Sequence, residues 1–193
     1  VTIFQDSILF VADDLNNKIK RVSANGRTIT FAGNKISGNT NGPIASSSFF
    51  FPLGISMFDN SSFLIVDNGN VKIRSLNFSS STTADFAGAG FVGAFNGRSA
   101  SATFNYPTDV AIRVIGGQKE VFVADQSNNV IRLVDGNGNV STVVGDGTPG
   151  FKNGEGINTR LNKPYGLTFD ALDNSILYIT DEFNHCIRKV VIE

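Results

Sequence analysis

One pattern, Asp-x-x-Asn-x-x-Ile-(Arg/Lys), occurs four times with unchanging internal spacing: Asp13/Asn16/Ile19/Lys20, Asp67/Asn70/Ile73/Arg74, Asp125/Asn128/Ile131/Arg132 and Asp181/Asn184/Ile187/Arg188. Successive copies lie 54, 58 and 56 residues apart. A fixed period of this size marks an architecture in which one supersecondary unit is repeated and each copy buries its apolar face against the next. The unit is longer than the roughly 40 to 50 residues of WD and kelch propeller repeats, so it is a different repeat.

A second block connects the motifs. Gly33, Gly38, Gly42 and Pro52 recur as Gly88, Gly93, Gly97 and Pro107, and again as Gly145, Gly150, Gly154 and Pro164, each time with steps of five, four and ten residues. Length changes fall outside these blocks, where hairpin turns tolerate them. From Pro52 to Gly88 the chain alternates short apolar stretches with turn signals: Leu53 to Phe58, Phe63 to Val66, Lys72 to Leu76 and Asp85 to Ala87. That reads as four antiparallel strands, with no helical period in any stretch. The second strand is a nearly unbroken apolar run in every copy (Ile8 to Ala12, Phe63 to Val66, Val121 to Ala124, Ile176 to Ile179), which suits a strand covered on both faces by neighbouring blades. The expected fold is therefore all-β, a β-propeller of four-stranded blades with units at about 1–51, 52–106, 107–163 and 164–193.

Roles follow for the repeated residues, and they are expected to be the same in all four copies. The motif Asp ends the second strand, where its carboxylate accepts turn amides, and the Asn (Asn16, Asn70, Asn128, Asn184) takes a left-handed or side-chain-bonded turn conformation. The Arg or Lys pairs with a carboxylate at the blade surface, the motif Asp being a candidate. Phe49, Phe104 and Leu161, each three residues before the proline, are expected to plug the connector into the core. The glycines supply positive φ in that connector. They form no phosphate-binding loop, since no Gly-x-x-x-x-Gly-Lys-(Ser/Thr) occurs.

The segments Val123-Ala124-Asp125 with Asn128-Asn129-Val130-Ile131-Arg132, and Thr180-Asp181-Glu182-Phe183-Asn184-His185-Cys186-Ile187-Arg188, together with Phe104-Asn105-Tyr106-Pro107, resemble NHL repeats. Only the last copy has the Asn-His dipeptide of that family; Asn17, Val71 and Asn129 stand at the His position elsewhere. The resemblance implies a propeller, most often six-bladed, that serves as a platform for protein, RNA or glycan partners. Val1 aligns with Ile55, as at a cut or processed end, and Glu193 stops where the outer strand of the fourth blade should begin. Two readings follow: part of a longer propeller, or four blades whose last edge is completed by a neighbouring copy in a head-to-tail assembly.

Composition narrows the chemistry. With 16 Lys+Arg against 17 Asp+Glu and a net charge of -1, nothing draws the whole chain to phosphate backbones or anionic lipid. No apolar run approaches the ~20 residues of a membrane span. Cys186 is the only cysteine, so intrachain disulfides and thiolate zinc sites are excluded; on its apolar strand it reads as a buried small hydrophobe. His185 is the only histidine, which rules out a multi-histidine metal site and leaves no second histidine to serve a nucleophilic triad. The resemblance also implies an alternative, a propeller enzyme, lyase or hydrolase, with a metal at the central channel. For that alternative Asp109, where the other copies have Gly54 and Gly166, is the first residue to consider. For an RNA-binding rim the candidates are Lys18, Lys20, Arg21, Lys72 and Arg74. Sequons at Asn60, Asn77 and Asn139 fall in or beside expected hairpin turns, which favours an extracellular or cell-surface glycoprotein. The leading expectation is a non-catalytic scaffold for protein or glycan partners or for self-assembly, with no cofactor, no metal, no membrane span and no nucleic acid.

Overall fold

A computed structural model describes residues 1–4 and 8–192. Blade 1 comprises β1 (Thr2–Phe4), β2 (Ile8–Asp13), β3 (Lys18–Val22) and β4 (Thr28–Ala32) as an antiparallel meander. A two-residue strand β5 (Gly42–Pro43) precedes blade 2, made of β6 (Pro52–Asp59), β7 (Ser62–Asp67), β8 (Lys72–Asn77) and β9 (Thr82–Ala87). Likewise β10 (Gly97–Arg98) precedes β11 (Pro107–Ile115), β12 (Gln118–Asp125), β13 (Val130–Val134) and β14 (Asn139–Val144) of blade 3. Blade 4 has β15 (Pro164–Phe169), β16 (Ile176–Asp181) and β17 (Cys186–Val191). The molecule is thus all-β, four antiparallel sheets in a propeller arrangement.

Two details go beyond a four-stranded unit. The connector entering blade 2 or blade 3 adds a short fifth strand at the rim, β5 on β9 and β10 on β14. Each motif loop is one tight turn of 3-10 helix, and the residue after the motif Asn, not the Asn itself, takes the left-handed conformation. Asn16, Asn70, Asn128 and Asn184 are the side-chain-bonded members of the pair, each with its amide on the motif Asp.

Three cores coincide with the three successive blade interfaces. Phe10 and Ile19 of blade 1 meet Ile55, Phe63 and Leu76 of blade 2. Leu64 and Val66 meet Val110, Val121 and Val123 of blade 3. Phe122 and Ala124 meet Leu167, Leu177 and Ile179 of blade 4. Alternate side chains of β7 and β12 therefore enter two different cores, and both strands are buried on both faces. β2 and β16 lie in one core each, so their second faces stay partly open, unlike the expectation for every copy. Phe49, Phe104 and Leu161 are fully buried in the three cores, one each.

Candidate functional site

The two repeated blocks of sequence form one clamp. Asp67 Oδ1 accepts the Phe50 amide of the arriving connector at 2.7 Å, while its Oδ2 takes Asn70 and Arg74 at 2.8 Å each. Arg74 then reaches the Ser48 and Thr40 carbonyls and the Asn41 side chain. Blade 3 repeats this with Asp125 on Asn105, and Arg132 on the Thr103 and Phe95 carbonyls and on Asn96. Blade 4 repeats it with Asp181 on Asn162, and Arg188 on the Arg160 and Lys152 carbonyls and on Asn153. The ion pairs of 2.8 to 2.9 Å are buried, not at the blade surface, because the connector folds over them and needs donors for its carbonyls. The motif Asn also donates to a connector carbonyl: Asn70 to Gly38, Asn128 to Gly93, Asn184 to Gly150.

Blade 1 departs from the shared role expected of its motif. Asn16 is exposed, unlike its three counterparts, and its amide goes to Asp13 Oδ1 at 2.8 Å without bridging to a connector. The Lys20–Asp13 pair is wider, 4.0 Å, and partly exposed. The reason is common to both: among the described residues no connector folds over this turn, so Asn16 holds the turn's own geometry and clamps nothing to it.

Asn41, Asn96 and Asn153, each just before the third connector glycine, belong to the clamp and were missed in sequence because Asn-Gly reads simply as a turn. Gly33, Gly88 and Gly145 pass so close that a Cβ would meet the carbonyl oxygen of the left-handed residue, at 2.5 Å from Asn17 in the first case, and their φ lies between +94° and +105°.

Where the inner strands converge, Asp109 accepts the Val110 and Leu167 amides at 2.9 Å, one on each oxygen, and so ties β11 to β15. Gly54 must be glycine here, since a Cβ would lie 2.5 Å from Asp109 Oδ1. Burial raises the Asp109 pKa, and the two amides only partly oppose that. The depression beside it, about 240 Å³, is shared by Ala12, Asp14, Thr108 and Tyr165. Both carboxylate oxygens are held by backbone, an arrangement that suits interblade positioning. Among the described residues no group of three or more His, Cys, Asp or Glu is placed to hold a metal ion.

A concavity of about 860 Å³ runs along β17. β16 pairs with β17 at six positions on one side. In blades 2 and 3 the other side of the third strand carries β9 or β14, and the far edge of that strand takes β5 or β10. In blade 4 the corresponding space is a groove, with β17 on one wall and Asn153 to Gly156 of the connector on the other. Phe151, Ile187 and Val191 are more than half exposed there. Cys186 also lines the groove and is half-buried, not buried as expected, because no described strand covers its edge.

Of the basic-rim candidates, Lys18, Lys72 and Arg74 are buried and only Lys20 and Arg21 keep partial exposure, so these five do not form a basic rim. Lys72 is held by Asp85 at 2.5 Å. His185 is the left-handed residue after Asn184. Asn60 is exposed in the turn between β6 and β7; Asn77 ends β8 half-buried; Asn139 opens β14, exposed, with its amide on Asp135. Glu193 lies outside the described residues, and no described helix is long and apolar enough to cross a membrane.

No protein-family model matches the chain. It is similar to NHL repeat-containing protein 2 of Bos taurus, 35% identical over 97 residues, covering 46% of this chain and 13% of that protein. The units are NHL-type repeats. A second relative, Protein SUPPRESSOR OF QUENCHING 1, chloroplastic, of Arabidopsis thaliana, is 28% identical over 176 residues, covering 86% of this chain and 16% of that protein. The NHL-type chain thus spans under a fifth of the length of either relative. Among solved structures, an auxiliary nutrient binding protein from Bacteroides ovatus ATCC 8483 superposes with a TM-score of 0.74 at 18% identity, over 96% of this chain and 45% of that one. That likeness carries the propeller fold alone.

Proposed function

We propose that this propeller is a non-catalytic, extracellular binding scaffold for a protein partner. The observation that carries the reading is the set of large apolar side chains that two successive connectors hold out to solvent, Ile36 and Phe91 at the same position of the repeat and Phe95 four residues on, 58 to 71% exposed. Large apolar side chains held out on rigid connectors are what a protein-docking surface is built from. The nutrient-binding name of the Bacteroides neighbour is in keeping with a binding role. Glycans on Asn60, Asn77 and Asn139, at turns and strand ends, would leave these connector residues untouched.

The test is photo-cross-linking from a benzophenone side chain placed at position 95 of the protein. Cross-links to one protein partner are expected, together with their loss when Ile36 and Phe91 are both replaced by serine; no cross-linked protein overturns the reading. Expression through a eukaryotic secretory pathway should give a mass decrease on treatment with peptide N-glycosidase, and no decrease removes the glycoprotein part.

A further inference from the structure

Blades 2 and 3 differ at two neighbouring internal positions in a way that points to a ligand. In blade 2, Asp85 stands opposite Arg74 across the β8–β9 ladder. Its carboxylate lies 3.2 Å from Arg74 Nε and accepts from Asn41 Nδ2 at 2.9 Å and Lys72 Nζ at 2.5 Å. Partial burial opposes ionisation of Asp85, but these hydrogen bonds and the Lys72 and Arg74 charges outweigh it and hold the group below the usual carboxylate range.

In blade 3 the residue opposite Arg132 is Thr142, and Val130 replaces the lysine. Arg132 is fully buried, and its Nε is the one buried side-chain donor or acceptor among the described residues with no hydrogen-bond partner. A buried donor of a charged group left without a partner is destabilising, more so than a neutral one. Where blade 2 has its carboxylate, blade 3 has a concavity of about 520 Å³, lined by Arg132, Thr142 and the apolar Ala94, Val130 and Ile157.

We propose that this concavity binds a small carboxylic acid carried on an apolar group, with one carboxylate oxygen on Arg132 Nε in the place that Asp85 occupies against Arg74. Asn41 accepts from both Arg74 Nε and Nη2, at 3.0 and 2.6 Å, and donates to Asp85, whereas its counterpart Asn96 accepts from Arg132 Nη2 alone, at 2.8 Å, which leaves Arg132 Nε and the Asn96 amide to the ligand carboxylate. Asp146 also lines the pocket, but it is already paired with Arg160 at 2.8 Å. The apolar walls receive the rest of the ligand. This site is independent of the groove on β17.

The experiment is NMR titration of the Arg132 Nε–Hε resonance with sodium benzoate, with benzamide as neutral isostere. Benzoate is expected to shift the resonance saturably and to bind at least tenfold tighter than benzamide. Thr142→Asp supplies the internal carboxylate of blade 2 and should weaken benzoate at least tenfold. Thr142→Val leaves the donor orphaned and should retain binding. The proposal is overturned by no saturable shift, by equal affinity for benzamide, by undiminished binding in Thr142→Asp, or by loss in a folded Thr142→Val.

Discussion

Asn17, Val71, Asn129 and His185 occupy one position of the repeat, and all four hold a φ between 48° and 56°. That conformation disfavours side chains other than Asn, Asp and Gly, and β-branched ones most. Asn meets the requirement and adds a bond: Asn17 and Asn129 each accept the amide of the residue before the next blade's proline, Phe51 and Lys163, at 3.0 Å. Those partners are left-handed as well, φ 49° and 57°. Asn129→Val should therefore destabilise by roughly 2 to 4 kcal/mol, from strain plus two lost hydrogen bonds, one to Lys163 and one to the Gly147 carbonyl. Asn129→Gly, which loses the bonds without the strain, should lose about half as much, and urea unfolding of both variants checks the order. Sequence spacing placed this turn correctly but could not say which of two adjacent residues turns left-handed, because Asn128 and Asn129 carry the same side chain, as do Asn16 and Asn17.

At the scale of the element, the Asp-to-Arg turn and the connector are two halves of one device. Each was legible as a repeat; their contact was not, since the partners lie about 30 residues apart and meet only when the connector folds over the pair. The buried position of the arginine follows from that contact, which the residues alone do not disclose. So does the exposure of Asn16, whose motif matches the others in spacing but carries no described connector. Asp125→Ala leaves Arg132 buried without its carboxylate and should lower stability by about 3 to 5 kcal/mol. Asp125→Ala with Arg132→Leu should lose less than the two single changes added, a non-additivity that chemical denaturation of the cycle measures. A turn of another kind is pH-sensitive. Burial opposes ionisation of Asp59, but the Ser61 amide, the Ser61 and Ser62 hydroxyls and Lys119 outweigh it and bring its pKa down to about 2. Because the folded pKa is the lower one, this stabilisation is complete above the ordinary value of 3.8 and disappears as pH falls from there toward about 2. Thermal melts across that window should be less steep in pH for Asp59→Ala than for the parent protein.

For the whole molecule, the repeat period disclosed four blades and their order, because each unit must bury its faces on the next. It did not disclose that the blades share their burial unequally. Among the described residues β7 and β12 serve two cores each, whereas the strands of blade 4 reach one, through Leu167, Leu177 and Ile179. In a repeat array stability is a sum of unit and interface terms, so a lesion in the interface of blades 3 and 4 should act locally. Phe122 is fully buried in that interface, edge-on to Phe169 at 5.2 Å, and Arg113 lies over both rings. Phe122→Ala removes the ring from both contacts and should lower stability by about 3 to 5 kcal/mol. Hydrogen exchange should then show protection falling first and furthest in Ile176–Asp181 and Cys186–Val191, with Ser62–Asp67 changed least. Equal loss in blades 2 and 4 would mean that the propeller unfolds as a single unit and that its interfaces are not separable.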